Sequence, residues 1–163
     1  MTDERRARER AKAAELTALR AALDAEHAAV YGYGVVGGKV HEDRRGEARA
    51  AHDAHRARRD AWQRAVRDLG GDPVPAAPGY ALPFPVADTG SAVRLAAQLE
   101  DRLAGVYADL VRASQGARRR SAVDALREAA VRAARWRGGS VAFPGLAERS
   151  AGPGGSPAPR ASR

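Results

Sequence analysis

Residues 16–40 read LTALRAALDAEHAAVYGYGVVGGKV, and the spacing of their larger side chains decides the fold. Leu16, Leu19, Leu23, Glu26, Val30, Tyr33, Gly37 and Val40 recur in alternating steps of three and four, the period of one face of an α-helix. The pattern predicts a helix from about Ala11 to Val40 with a continuous seam, interrupted in polarity at Glu26 and Tyr33. Gly37 and Gly38 weaken its last turns, and the polar stretch from His41 to Gly46 is expected to make the first connection.

Working outward, a second helix is expected from about Glu47 to Leu69, where Ala48, His52, His55, Arg59, Trp62, Val66 and Leu69 repeat the rhythm before Gly70 and Gly71 stop it. The next stretch, DPVPAAPGYALPFPVA at 72–87, holds five prolines and excludes a helix. Extended at roughly 3.3 Å per residue it reaches about 50 Å, more than the length of the second helix, so it can cross the whole bundle. A third helix starts after Asp88 or Thr89, either of which can cap it, and carries Val93, Ala96, Glu100, Leu103, Tyr107 and Leu110. A fourth is expected to open at Ser121, with Asp124 completing a weak capping box, and to run through Leu126, Ala129, Ala133 and Trp136 to Gly138. Val141 to Leu146 is expected to pack back through Phe143, and the Gly, Pro and Ser mixture from residue 148 to be a disordered tail, leaving one domain over 1–147.

Composition agrees with an all-α reading. Of 163 residues, 44% are hydrophobic and only 5% aromatic, so alanines on closely packed helices must fill much of the interior. There is no cysteine, which removes disulfides, thiolate metal ligands and thiol nucleophiles. No apolar run approaches the ~20 residues a membrane span needs, and the N-terminus lacks the apolar core of a secretion signal, so a cytoplasmic protein without a membrane partner is expected. The net charge of +8 invites a nucleic-acid role, but the arginines are interleaved with Asp and Glu at helical spacing, as on solvated faces, which argues against one.

Sliding the chain along itself by 74 residues places Glu26 on Glu100, Tyr33 on Tyr107 and Trp62 on Trp136, the only tryptophans present. Two similar helical hairpins joined by the proline-rich crossover are therefore expected. That plan, with an inward Glu on helices 1 and 3, resembles the ferritin-like four-helix bundles. More narrowly, EHAAVYGYG at 26–34, HRARRD at 55–60, YALPFPV at 80–86 and RAARWRG at 132–138 resemble a bacterial, actinobacterial-type ferritin-like domain of unknown function, within the ferritin and rubrerythrin superfamily. The resemblance implies a fold and no established activity.

In metal-binding ferritin-like proteins, two helices give one Glu each and the other two give Glu-x-x-His, together holding a pair of irons or manganeses. By that resemblance Glu26 and Glu100 match, whereas the Glu-x-x-His positions fall on Arg59 and Trp62, and on Ala133 and Trp136. The expected interior is thus a metal-free polar core of Glu26, Arg59, Tyr33, Glu100 and Tyr107, with Arg59 paired to Glu26, because a buried charge left alone costs several kcal/mol. The rival constellation is a metal site of Glu26, His52, His55 and Glu100, whose two histidines sit three apart on one helix face and would bind iron or manganese. A turn centred near residue 43 puts residue 60 opposite Glu26 and leaves His52 about 12 Å away along the axis, so His52 and His55 are expected to face Tyr31 and Tyr33 instead. Glu26 and Glu100 could also act as a general acid and base, but no nucleophile or phosphate loop accompanies them.

His27 and His41 are read as solvated, and Tyr80 and Phe84 as packing across helix 2 or 3 rather than binding a partner. The sequence therefore points to a structural or interaction module with no cofactor. Its partner is an unidentified protein or a second copy of the chain, docked against a helix 1 that protrudes past the end of helix 2. An iron or manganese oxidoreductase or storage protein is the first alternative, and a basic nucleic-acid-associated bundle the second.

Overall fold

The computed structural model describes residues 2–139, and among these every regular element is helical. The order is α1 (Asp3–Lys39), α2 (Glu42–Asp68), α3 (Thr89–Ala113) and α4 (Gly116–Arg137). α1 packs closely on α2 and α3, and α3 on α4. α2 and α4 face each other across longer side chains, such as the Arg58–Glu128 pair at 2.8 Å. The result is a four-helix bundle of two hairpins. The readings that fall on residues 140–163, the return of Phe143 and the disordered tail, lie outside the described residues.

Three boundaries differ from expectation. α1 begins at Asp3 rather than Ala11, and residues 2–14 are all exposed, so the charged N-terminal turns extend beyond the packed bundle. The first connection shrinks to Val40 and His41, because His41 adopts the extended N-cap conformation and α2 already starts at Glu42. Glu42 and Asp43 then lie in its first turn, where carboxylates are stabilised by the positive end of the helix dipole. Gly46 sits inside α2, its cost in propensity of about 1 kcal/mol being met by the packing of Ala48 and Ala51 beside it. α4 starts at Gly116, not Ser121, so no capping box forms there. The expected cap on α3 is present at Asp88, whose carboxylate accepts from the Ser91 backbone N–H at 2.7 Å while Ser91 Oγ accepts from the Asp88 N–H at 3.1 Å.

The interior has two apolar halves. One gathers Leu19, Leu23, Trp62, Val66, Leu103, Tyr107 and Leu110. The other gathers Tyr33, Val36, Val40, Leu95 and Trp136. The fully buried residues of α4 are Ala122, Ala125, Ala129, Ala133 and Trp136, with Leu126 packed against the first half from a partly buried position. Each buried Leu or Val contributes about 1.5–3 kcal/mol, which makes these two clusters the main source of stability. Between them lies a polar layer made of Glu26, His55 and Glu100, all at most 2% exposed.

After α2, Gly70 turns the chain with φ +78°, a conformation open to glycine at little cost. The crossover then runs along α1. Arg20 Nε donates to the Asp72 carbonyl at 3.1 Å, and His27 Nε2 lies 3.0 Å from the Val74 carbonyl. His27 is therefore buried, not solvated, since the crossover covers it and offers a backbone acceptor. His41 is exposed, as read from the sequence. Tyr80 meets Tyr31 with ring centroids 5.8 Å apart, Phe84 packs on the second apolar half, and Thr89 Oγ1 closes the path by donating to the Lys39 carbonyl. No helix among the described residues is long and apolar enough to cross a membrane.

Candidate functional site

The short first turn sets the register of the polar layer. Glu26 and His55 lie the same number of residues on either side of the midpoint between Val40 and His41, so antiparallel packing brings them level. His55 Nδ1 is 2.8 Å from Glu26 Oε2, and its Nε2 is 2.8 Å from Glu100 Oε1. One imidazole spans the two carboxylates. Tyr33 donates to Glu100 Oε1 at 2.6 Å, and Tyr107 donates to Glu26 Oε1 in a short contact. Outside the tyrosines, Trp136 Nε1 donates to the Tyr33 hydroxyl at 2.9 Å and Trp62 Nε1 to the Tyr107 hydroxyl at 3.1 Å.

The layer is a continuous relay from Trp62 through Tyr107, Glu26, His55, Glu100 and Tyr33 to Trp136. Its outer members repeat at the interval of 74 residues seen in the sequence; its centre does not, because the position matching His55 is Ala129, buried at 1% exposure. A single imidazole has two nitrogens, enough to serve both acids. The arrangement remains asymmetric: Glu100 Oε1 accepts twice, and Glu100 Oε2 is buried without a partner among the described residues.

Protonation follows from the hydrogen-bond inventory. Between two ionised carboxylates, which only accept, an imidazole makes both contacts only as the imidazolium, since the neutral ring has one N–H. Burial pulls the His55 pKa down, but the hydrogen bonds to Glu100 and Glu26 and the charges of both acids outweigh it, and the pKa is pushed up to about 9. Burial, followed by the Glu100 charge, holds the Tyr33 hydroxyl protonated far above its ordinary range. The same order of causes, with Glu26, acts on Tyr107. Both tyrosines are thus permanent donors to the two acids.

Of the residues expected in the polar core, Glu26, Tyr33, Glu100 and Tyr107 are brought together, and Arg59 is not. Arg59 Nε donates to Asp60 at 2.9 Å on a side chain 25% exposed. The reason is the two-residue turn, which moves the position opposite Glu26 from about 60 to 55. Of the expected metal candidates, Glu26, His55 and Glu100 converge, whereas His52 sits half-buried with Nδ1 3.6 Å from Asp53. His55 does face Tyr33, its ring stacked on the phenol at 5.2 Å. The sequence reading missed the tryptophans as donors; their match at the 74-residue offset, alongside the tyrosines, was the signal that could have found them.

A pair of metal ions does not fit these residues. The di-metal plan calls for six carboxylate and imidazole ligands, and the layer offers three. The imidazole nitrogens point at the carboxylate oxygens instead of sharing a point with them, and no group of three or more such side chains is arranged around one ion among the described residues.

Comparison with curated proteins finds no match. Among solved structures, the chain is similar to the crystal structure of a conserved hypothetical protein, Rv2844, from Mycobacterium tuberculosis, at 35% identity and a TM-score of 0.76. The likeness covers 78% of this chain and 90% of the other. The family model described as "Domain of unknown function (DUF4439)" matches residues 18–148, a span that takes in all four members of the central acid and tyrosine set and both tryptophans. On that match and that likeness, the chain belongs to the DUF4439 family.

Proposed function

We propose that this protein is a metal-free helical scaffold, a structural or interaction module of ferritin-like plan, in which one protonated histidine replaces the metal charge between two inward glutamates. The observation that carries this reading is the placement of His55, with both ring nitrogens at hydrogen-bond distance from opposite acids. Breaking a buried ion pair by removing one member costs about 3–5 kcal/mol, so an imidazolium there makes two converging carboxylates tolerable without an ion. The bidentate bridge also fixes α2 against α1 and α3 at one register, the specificity that an interaction scaffold needs.

The competing reading, a bound iron or manganese, has one observation in its favour: Glu100 Oε2 is a buried acceptor with no donor among the described residues. Metal analysis of protein purified without chelating resins, followed by titration with Fe(II) and Mn(II), separates the two. The scaffold reading expects sub-stoichiometric metal and no saturable binding. Stoichiometric metal that disappears in Glu26→Ala would replace it with the metal reading.

A further inference from the structure

A cleft of about 370 Å³ opens on the outer side of α1 and α3, beneath the crossover and apart from the polar layer. Gly32 and Leu99 both line it, and a Cβ at Gly32 would lie 2.5 Å from Leu99 Cδ1, so any larger residue there forces this part of the lining to rearrange. One wall is the tilted pair of Tyr31 and Tyr80, with Tyr31 left 41% exposed; Leu82 and Leu99 supply aliphatic surface. The single charged side chain in the lining is Arg102, which makes no ion pair among the described residues, the carboxylate next to it in sequence, Asp101, being held by Arg137.

Small-molecule sites are concave, mainly apolar spaces of about 300–1,000 Å³ with a few polar groups that orient the ligand. This cleft lies near the small end of that range and has one cation at its edge. Tyrosine rings prefer an aromatic partner in tilted or offset stacking, and a guanidinium matches a carboxylate with two parallel N–H donors. We propose that the cleft binds a small aromatic carboxylate, with its ring against Tyr31 and Tyr80 and its carboxylate on Arg102. The assignment uses no residue of the Glu26–His55–Glu100 layer and stands or falls separately from the scaffold reading.

The test uses the full chain at about 150 mM salt, where weak attraction to scattered surface arginines is largely screened. 2-Naphthoate and its uncharged counterpart 2-naphthalenemethanol are titrated while the ring resonances of Tyr31 and Tyr80 and the methyls of Leu99 are followed by NMR. Saturable shifts confined to these groups with naphthoate, at least fivefold weaker binding of the alcohol, and loss of that preference in Arg102→Gln are expected. Gly32→Ala should weaken naphthoate at least tenfold, and Tyr31→Ser, an exposed change, gives a second variant that tests the wall without disturbing Gly32 and Leu99. No saturation by naphthoate, equal affinity for acid and alcohol, or shifts spread over the arginines of α4 would each overturn the assignment.

Discussion

The bridging imidazole makes a quantitative claim about stability and pH. In the unfolded chain His55 titrates near its ordinary value of 6.5, and in the folded protein near 9. A group whose pKa is raised by folding contributes all its stabilisation below the unfolded pKa and loses it as pH rises through the folded one. Between pH 6.5 and 9 the folded state therefore holds a proton that the unfolded state has released, and stability falls along the whole interval. At about 1.4 kcal/mol per pKa unit the full loss is about 3 kcal/mol, good to about a unit of pKa. For a chain of this size that corresponds to a drop in Tm of roughly 6–12 °C. The measurement is thermal melting by circular dichroism at half-unit steps from pH 6 to 9.5, on the native protein and on His55→Gln. Glutamine keeps a polar side chain but cannot take a proton, so the difference between the two curves removes the contributions of His27, His41, His52 and the N-terminal amine. The ¹⁵N spectrum of the His55 ring at pH 7 should show both nitrogens protonated. A difference curve that is flat over this interval, or a neutral ring at pH 7, would refute the ion-bridge reasoning.

Other outcomes follow from the same geometry. Tyr107→Phe leaves Glu26 Oε1 without its hydroxyl donor and Trp62 Nε1 without an acceptor, and is expected to cost about 2–6 kcal/mol in urea unfolding, at about 1–3 kcal/mol per buried polar group left unsatisfied. Arg59→Ala should shift stability by no more than about 0.5 kcal/mol, since its partner is an adjacent, half-exposed Asp60; a loss of several kcal/mol would place Arg59 in the interior after all. Glu15→Ala removes the two-point contact with Arg118 that ties α1 to α4; because the arginine is 40% exposed, the cost should stay below about 1 kcal/mol and shrink further in 0.5 M salt.

Much of the architecture was legible in the sequence because it is written in period and punctuation. The three-four spacing from Leu16 to Val40, the glycines at 70 and 138 and the prolines from 73 to 85 marked the helices and the long crossover. The helix N-termini of α2 and α4 were harder to place. Glu42 to Gly46 is polar and ends in glycine, which looks like a loop, yet acidic residues in a first turn are also what a helix start favours. That local ambiguity had a distant effect: five residues at the turn changed which side chain stands opposite Glu26, and so replaced an arginine by a histidine in the interior. The outer relay members were signalled by the 74-residue match, but the match gave no hint of the centre, where His55 faces an alanine in the second half. An asymmetric element is invisible to an argument from repetition. His27 was misjudged for a different reason, since its cover comes from the crossover, a segment whose path no helical pattern records.

The bonds made by the tyrosines and tryptophans of the polar relay all run from one hairpin to the other: Tyr33 to Glu100, Tyr107 to Glu26, Trp62 to Tyr107 and Trp136 to Tyr33. A chain nicked within the crossover would yield two fragments: the first keeps the Glu26–His55 contact but loses the Tyr107 donor, and the second holds Glu100 with both its donors, Tyr33 and His55, on the other piece. Such fragments should reassemble as unlike pairs. Two copies of the first fragment would force two imidazoles into a space shaped for one, and two copies of the second would have none. The difference between His55 and Ala129 is thus expected to favour unlike over like pairing of the two halves, which mixing the purified fragments and measuring their stoichiometry would check.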